Sequence, residues 1–141
     1  MSVHRLCLLL LCCTLLPMAA LAADPYNYIS AAALEARLIA KEPTHLVDIQ
    51  VEEEFARHHI TGATATFAYP VKSDADRAKL EAVLSKLKSD SAPVVVVCPR
   101  GAGGATRTYE YLLSQGIAAE RLLILEKGQE GWACAALTEG K

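Results

Sequence analysis

The sequence carries no excess of basic residues: 14 Lys and Arg stand against 16 Asp and Glu, a formal charge of −2. Proteins whose main partner is nucleic acid carry a basic field, so the balance argues against nucleic acid as the main partner. Aromatics are scarce, at 6%, with a single Trp, Trp132. Internal repeats and low-complexity tracts are absent, which argues against a solenoid or a linker-rich chain. Proline is spread thinly, with no run that marks a boundary between domains. Disorder is excluded from the other side, because 52% of the 141 residues are hydrophobic and 21% charged. A chain of this length makes one domain.

Much of the apolar excess lies at the start. Met1–Arg5 is a short basic segment, Leu6–Leu16 an apolar run, Pro17 a break, and Ala20-Leu21-Ala22 an A-x-A cleavage pattern. That order is a secretory signal peptide over residues 1–22. The run is too short to span a bilayer, which takes about 20 apolar residues. Cys12 and Cys13 invite a lipoprotein reading, but Leu11 stands where such signals place a small residue. The expectation is a periplasmic or secreted domain over 23–141, without membrane insertion once the signal is removed. Of five cysteines, three leave with it, and Cys98 and Cys134 remain. Two thiols in an oxidising compartment default to a disulfide. That reading stays open beside any catalytic one.

Past the signal, apolar strands alternate with helical patterns. Ser30 caps a helix over Ala31–Lys41, and His45–Ile49 is a strand. Glu52–His58 forms a short acidic helix, and Ala63–Phe67 a second strand. Ser73 caps a helix whose Leu80, Val83, Leu84 and Leu87 repeat at helical spacing. Val94–Val97 is four consecutive valines, which cannot alternate inward and outward, so the strand is buried on both faces. A helix over Ala105–Gln115 ends at Gly116. Arg121–Glu126 is another buried strand, and Trp132–Leu137 a last short helix. This alternation is the signature of an α/β domain with a central, mostly parallel sheet flanked by helices on both faces.

In such sheets sites form beyond the carboxyl ends of the strands. There the sequence places Cys98-Pro99-Arg100-Gly101-Ala102-Gly103-Gly104, just before a helix. Glycines let successive amides turn inward, and a helix start adds unpaired donors and partial positive charge. Such surroundings favour a thiolate over a thiol. Arg100 and Arg107 are the candidate cations, and no general base is evident in the loop. The chemistry is therefore attack by an ionised Cys98. Cys134 stands as a buried core residue, with a resolving or disulfide role as the alternative. His45, His58 and His59 match no zinc spacing, and no metal or other cofactor is expected.

The chain resembles a rhodanese-like domain over roughly Tyr28–Leu137. Val47-Asp48-Ile49-Gln50, Glu54-Phe55 and His58-His59-Ile60-Thr61-Gly62-Ala63 are similar to the family's first signature, V-D-x-R, E-F and G-H-I-x-G-A. Val94–Gly101 resembles the strand and active loop that opens C-x-x-G, and Leu125–Trp132 the closing L-x-G-G-x-x-x-W. The resemblance implies a sulfurtransferase. Cys98 would take sulfane sulfur from thiosulfate or polysulfide and pass it to cyanide or a thiol. Pro99 through Gly104 would form the anion-binding loop, while Asp48, His59 and Trp132 would be scaffold. The implied partners are small sulfur-containing anions and a thiol-bearing acceptor protein. A periplasmic carrier of sulfur or another chalcogen, or a docking module with Cys98 locked to Cys134, are the alternatives.

Four departures stand out. Gln50 replaces the family's usual Arg, His58 replaces a Gly, and Lys127 replaces the first Gly of the closing motif. The stretch from Cys98 to Gly116 reads as one residue longer than in common single-domain members, which implies a roomier loop suited to a larger donor, such as polysulfide or a selenium species. Phosphatases of this fold place Arg six residues after the Cys. Here that position is Gly104, which argues against phosphate-ester chemistry.

Overall fold

The computed structural model describes residues 23–141, so the expected signal peptide lies outside the described residues. Five strands form one parallel sheet in the order β1-β6-β5-β2-β4: β1 Tyr28–Ile29, β2 His45–Asp48, β4 Thr64–Ala65, β5 Val94–Val97 and β6 Leu122–Leu125. A second, antiparallel pair joins β3 (His59–Ile60) to β7 (Thr138–Glu139). The helices are α1 Ala31–Ile39, α2 Glu52–Arg57, α3 Asp74–Lys88 and α4 Gly103–Ser114.

The two faces follow from the pleat. Val94 and Val96 of β5, with Val47, Leu122 and Ile124, pack against Leu80, Val83 and Leu87 of α3 and Ala105, Tyr109 and Leu112 of α4. Val95 and Val97, with Leu46 and Leu125, pack on the other face against Leu34 and Leu38 of α1, Ile60 and Trp132. All four valines are fully buried. Continuous apolar strands are what a sheet covered on both sides requires.

Local capping agrees with the sequence. Ser30 Oγ accepts the Ala33 amide, and Ser73 with Asp76 completes a capping box on α3. Gly116, at φ +90°, closes the turn after α4, where a side chain would be strained. Several boundaries differ. The strand expected over Ala63–Phe67 pairs only at Thr64–Ala65, and the helix expected over Trp132–Leu137 is a single 3-10 turn at Ala135–Leu137 that leads into β7. There Trp132 Nε1 donates to Thr138 Oγ1, 3.0 Å away, which pins the tail. Helix α4 starts at Gly103, two residues before the expected Ala105.

Asp48 ends β2, is fully buried, and accepts hydrogen bonds from the Gln50 amide at 2.8 Å and from Gln50 Nε2 at 3.0 Å. Gln50 Nε2 also donates to the His58 carbonyl. A neutral amide thus stands where the family's arginine would make an ion pair. Without that cation, desolvation outweighs the two hydrogen bonds and pushes the Asp48 carboxyl up to about 6.

The native state therefore holds this proton more tightly than the unfolded chain, where Asp titrates near 3.9. Asp48 contributes most stability below pH 4 and loses it as pH rises through 6, a fall of ~3 kcal/mol. Urea unfolding of wild type and Asp48→Asn at pH 4 and pH 7 checks this. The wild-type-minus-variant stability should fall by roughly 2 kcal/mol across the interval, since part of the total is already lost at pH 4. A difference that does not change with pH contradicts the assignment.

Candidate active site

Because the strands run parallel, the segments leaving β2, β5 and β6 emerge at one edge of the sheet. Cys98 follows β5 directly and is 2% exposed, with its side chain on the α3/α4 face. The chain then turns through Pro99–Ala102 and enters α4. The Gly101 amide donates to Cys98 Sγ at 2.9 Å. An anion at this sulfur would meet that amide and the start of α4.

The turn is shaped from outside by the segment after β6. Gln129 donates its backbone amide to the Cys98 carbonyl at 2.8 Å, and Glu130 donates to the Pro99 carbonyl at 3.0 Å. Two glycines make this approach possible. A Cβ on Gly101, at φ +68°, would meet the Leu125 carbonyl and the Lys127 amide at 2.8 Å. A Cβ on Gly128, at φ +55°, would lie 2.1 Å from the Cys98 carbonyl oxygen and 2.5 Å from the Gly101 nitrogen. Neither position has room for a side chain.

The expected site residues divide. Pro99, Arg100, Gly101 and Ala102 form the turn, while Gly103 and Gly104 are the first residues of α4 and not loop. The reason is that Ala102 takes the cap position, with the Ala105 and Thr106 amides donating to its carbonyl. Gly104 has a packing reason instead: a Cβ there would press on the Tyr69 ring at 3.0 Å and on Ile49 at 3.2 Å. Arg100 is exposed and faces Glu130 at 3.4 Å; Glu130 first, and the Tyr69 phenol second, reinforce its positive charge. Arg107 is committed elsewhere, donating through Nε and an Nη to the Pro70 carbonyl at 3.0 and 2.8 Å.

Both thiols are free, and Cys134 packs in the cluster on the opposite face of the sheet from Cys98. This arrangement holds no Cys98–Cys134 disulfide. The histidines serve separate contacts: His45 Nε2 meets Asp90 at 2.9 Å, and His59 stacks on Phe55 and reaches Glu139. His58 Nδ1 accepts from Gln129 Nε2 at 2.8 Å. Sequence reasoning missed this last bond and the whole clamp of residues 128–130. The glycine at 128 was its only signal.

A family model for the rhodanese-like domain matches residues 30–135, and the chain belongs to that family. Comparison with curated proteins gives no match. Among solved structures, the chain is similar to the rhodanese-like domain of the Anabaena sp. Alr3790 protein, at 23% identity, TM-score 0.59, and 84% coverage of this chain and 80% of that one. It is also similar to a Saccharomyces cerevisiae protein, Ygr203w, described as a homologue of single-domain rhodanese and the Cdc25 phosphatase catalytic domain (17% identity, TM-score 0.64, 82% and 88% covered). A thiosulfate sulfurtransferase from Pseudomonas aeruginosa matches at 23% identity and TM-score 0.60, over 82% of this chain but 19% of its own. At these identities the likeness is one of fold.

Gly128→Ala should cost at least about 2 kcal/mol, because its Cβ has only backbone around it and the turn carrying Cys98 must move. Urea denaturation measures the loss, and wild-type stability in this variant would contradict the clamp.

Proposed function

We propose that the protein is a sulfurtransferase whose working group is the Cys98 sulfur. The observation that carries the reading is the Gly101 amide donating to Cys98 Sγ at the mouth of a glycine-dependent turn, before the start of α4. Family membership and the fold shared with a protein described as a thiosulfate sulfurtransferase support it.

With thiosulfate as donor, the Cys98 thiolate attacks the outer sulfur. The S–S bond of thiosulfate breaks, and sulfite leaves with the bonding pair. Cys98 is left as a persulfide whose terminal sulfur carries the charge. An acceptor nucleophile, cyanide or a thiolate, then attacks that terminal sulfur, and the Cys98 thiolate departs with the pair. Each half-step returns or creates an anion in the same place, so one set of amide donors serves both. No base is required if Cys98 enters ionised. Polysulfide would donate by the same attack.

Phosphate-ester hydrolysis fits less well. The sixth residue after Cys98 is Gly104, packed against Tyr69, and Arg107 is bound to the Pro70 carbonyl. We further propose that the domain acts outside the cytoplasm on small sulfur anions, with a thiol-bearing protein as the terminal acceptor; the signal-like residues 1–22 support the first part.

In a thiosulfate-to-cyanide assay Cys98→Ser should reduce transfer to background while its circular dichroism stays that of wild type. Appreciable transfer in a folded variant would remove Cys98 from the mechanism. Arg100→Ala should weaken anionic donors a few-fold, as expected for an exposed cation already shared with Glu130, and neutral donors less. Equal loss on both would show that the charge of Arg100 is not the reason.

A further inference from the structure

The segment between β4 and α3 is held in a backbone it does not favour. Phe67 has φ +56° and Val71 φ +60°, left-handed values that cost any residue with a Cβ, and a β-branched one most. Such strain persists where the surroundings over-determine it, as they do here. Lys79 Nζ donates to the Phe67 carbonyl at 3.0 Å, and Arg107 donates twice to the Pro70 carbonyl, at 3.0 and 2.8 Å. Between them, Tyr69 donates its amide to the Ile49 carbonyl at 2.8 Å. With its backbone anchored on either side, Tyr69 has a fixed place for its ring.

That place is beside the cysteine turn. A Cβ built at Gly104, the second residue of α4, would meet Tyr69 Cδ2 at 3.0 Å and Cε2 at 3.1 Å. After Glu130, the Tyr69 phenol is the group close enough to Arg100 to reinforce its positive charge. The side chain therefore reaches from Gly104 to Arg100. Gly101, whose amide donates to Cys98 Sγ, lies between those two contacts in the chain. Cys98 is 2% exposed and points to the α3/α4 face, and Tyr69 packs half-buried on the same cluster. Of the other half-buried side chains there, Tyr26 meets Tyr109 further along α4, Tyr111 is in the last turn of that helix, and Leu84 is on α3. Tyr69 alone of these stands at the first turn of α4. The clamp of residues 128–130 acts on the backbone of the turn, while the ring stands on the side where the sulfur lies.

We propose that Tyr69 is a specificity-determining residue, whose ring walls the α3/α4 side of the Cys98 turn and selects, by bulk and not by charge, what reaches the sulfur. The inference rests on Cys98 being the nucleophile of the site. It assigns the selection to a residue outside the cysteine loop. It also names the class of reactant admitted: slender molecules, such as cyanide or an unbranched alkyl thiol, over branched or aromatic ones. The ring performs this role, and the hydroxyl is not needed for it.

Two neutral reagents test this without a sulfur acceptor. Methyl and benzyl methanethiosulfonate react alike: the Cys98 thiolate attacks the alkylated sulfur, a new S–S bond forms, and methanesulfinate leaves with the pair of the S–S bond that breaks. Rates are read as mass gained by the Cys98 peptide of the intact protein, digested without reductant, with Cys134 in the same digest as control. Tyr69→Ala and Tyr69→Leu should each raise the benzyl-to-methyl rate ratio at Cys98 by about fivefold or more, and Tyr69→Phe should keep it near wild type. Cys134, packed on the opposite face of the sheet, should keep its ratio throughout. A Cys98 ratio unchanged in whichever of the Ala and Leu variants retains the wild-type circular dichroism overturns the proposal. So does an equal rise in Tyr69→Phe, a rise matched at Cys134, which marks general loosening, or a Cys98 that the methyl reagent never reaches. A ratio that rises in a protein whose wild type transfers no sulfur from thiosulfate supports the wall and removes the transferase reading. Sulfur transfer with an unchanged ratio does the reverse.

Discussion

The site depends on one backbone-to-backbone contact: the segment after β6 presses against the turn after β5. The Gln129 and Glu130 amides bind the Cys98 and Pro99 carbonyls. Cys98 keeps its side chain on the α3/α4 face of the sheet, and the chain folds back far enough for the Gly101 amide to reach Sγ. The approach is so close that positions 101 and 128 tolerate no Cβ. Two adjacent parallel strands, β5 and β6, bring these segments together. The rest of the fold, a two-faced apolar core around four valines, keeps those strands in register.

The family's first signature performs a supporting role by different chemistry here. Asp48 and Gln50 form a carboxyl–amide hydrogen-bonded pair in place of an ion pair, and Gln50 extends the pairing to the His58 carbonyl. His58 in turn accepts from the Gln129 side chain, while the Gln129 backbone holds Cys98. Residues that depart from the family pattern at 50 and 58 are thus linked to each other and to the clamp. The Gln129 side-chain oxygen is buried with no partner among the described residues. A buried carbonyl without a donor carries a cost, and the backbone bond from the same residue to Cys98 is what that position supplies.

The class of fold was legible because continuous apolar strands and helical spacing are properties of local sequence. The valine run, the Ser30 and Ser73 caps and Gly116 all read directly. The position of Cys98 was legible too, because a cysteine at a strand end before glycines is a local pattern. The clamp was not, since it depends on residues 128–130 meeting residues 98–101, a long-range contact. The same holds for β3 and β7, whose two-residue strands show no alternation of their own. The roomy glycine loop expected after Cys98 shrinks for a physical reason: Ala102 caps α4, and Gly103 and Gly104 are drawn into the helix. Arg107 reads as a cation near the sulfur, yet the Pro70 carbonyl claims it. Sequence spacing finds a charge but not the backbone acceptor that neutralises its use.

The most direct test of the account is the mass of the Cys98 peptide, taken without reductant after exposure of the pre-reduced protein to thiosulfate, with released sulfite measured in parallel. The account predicts a gain of one sulfur atom on Cys98, none on Cys134, and an equal amount of sulfite. Sulfite release without that gain, or a gain on Cys134 alone, would contradict it.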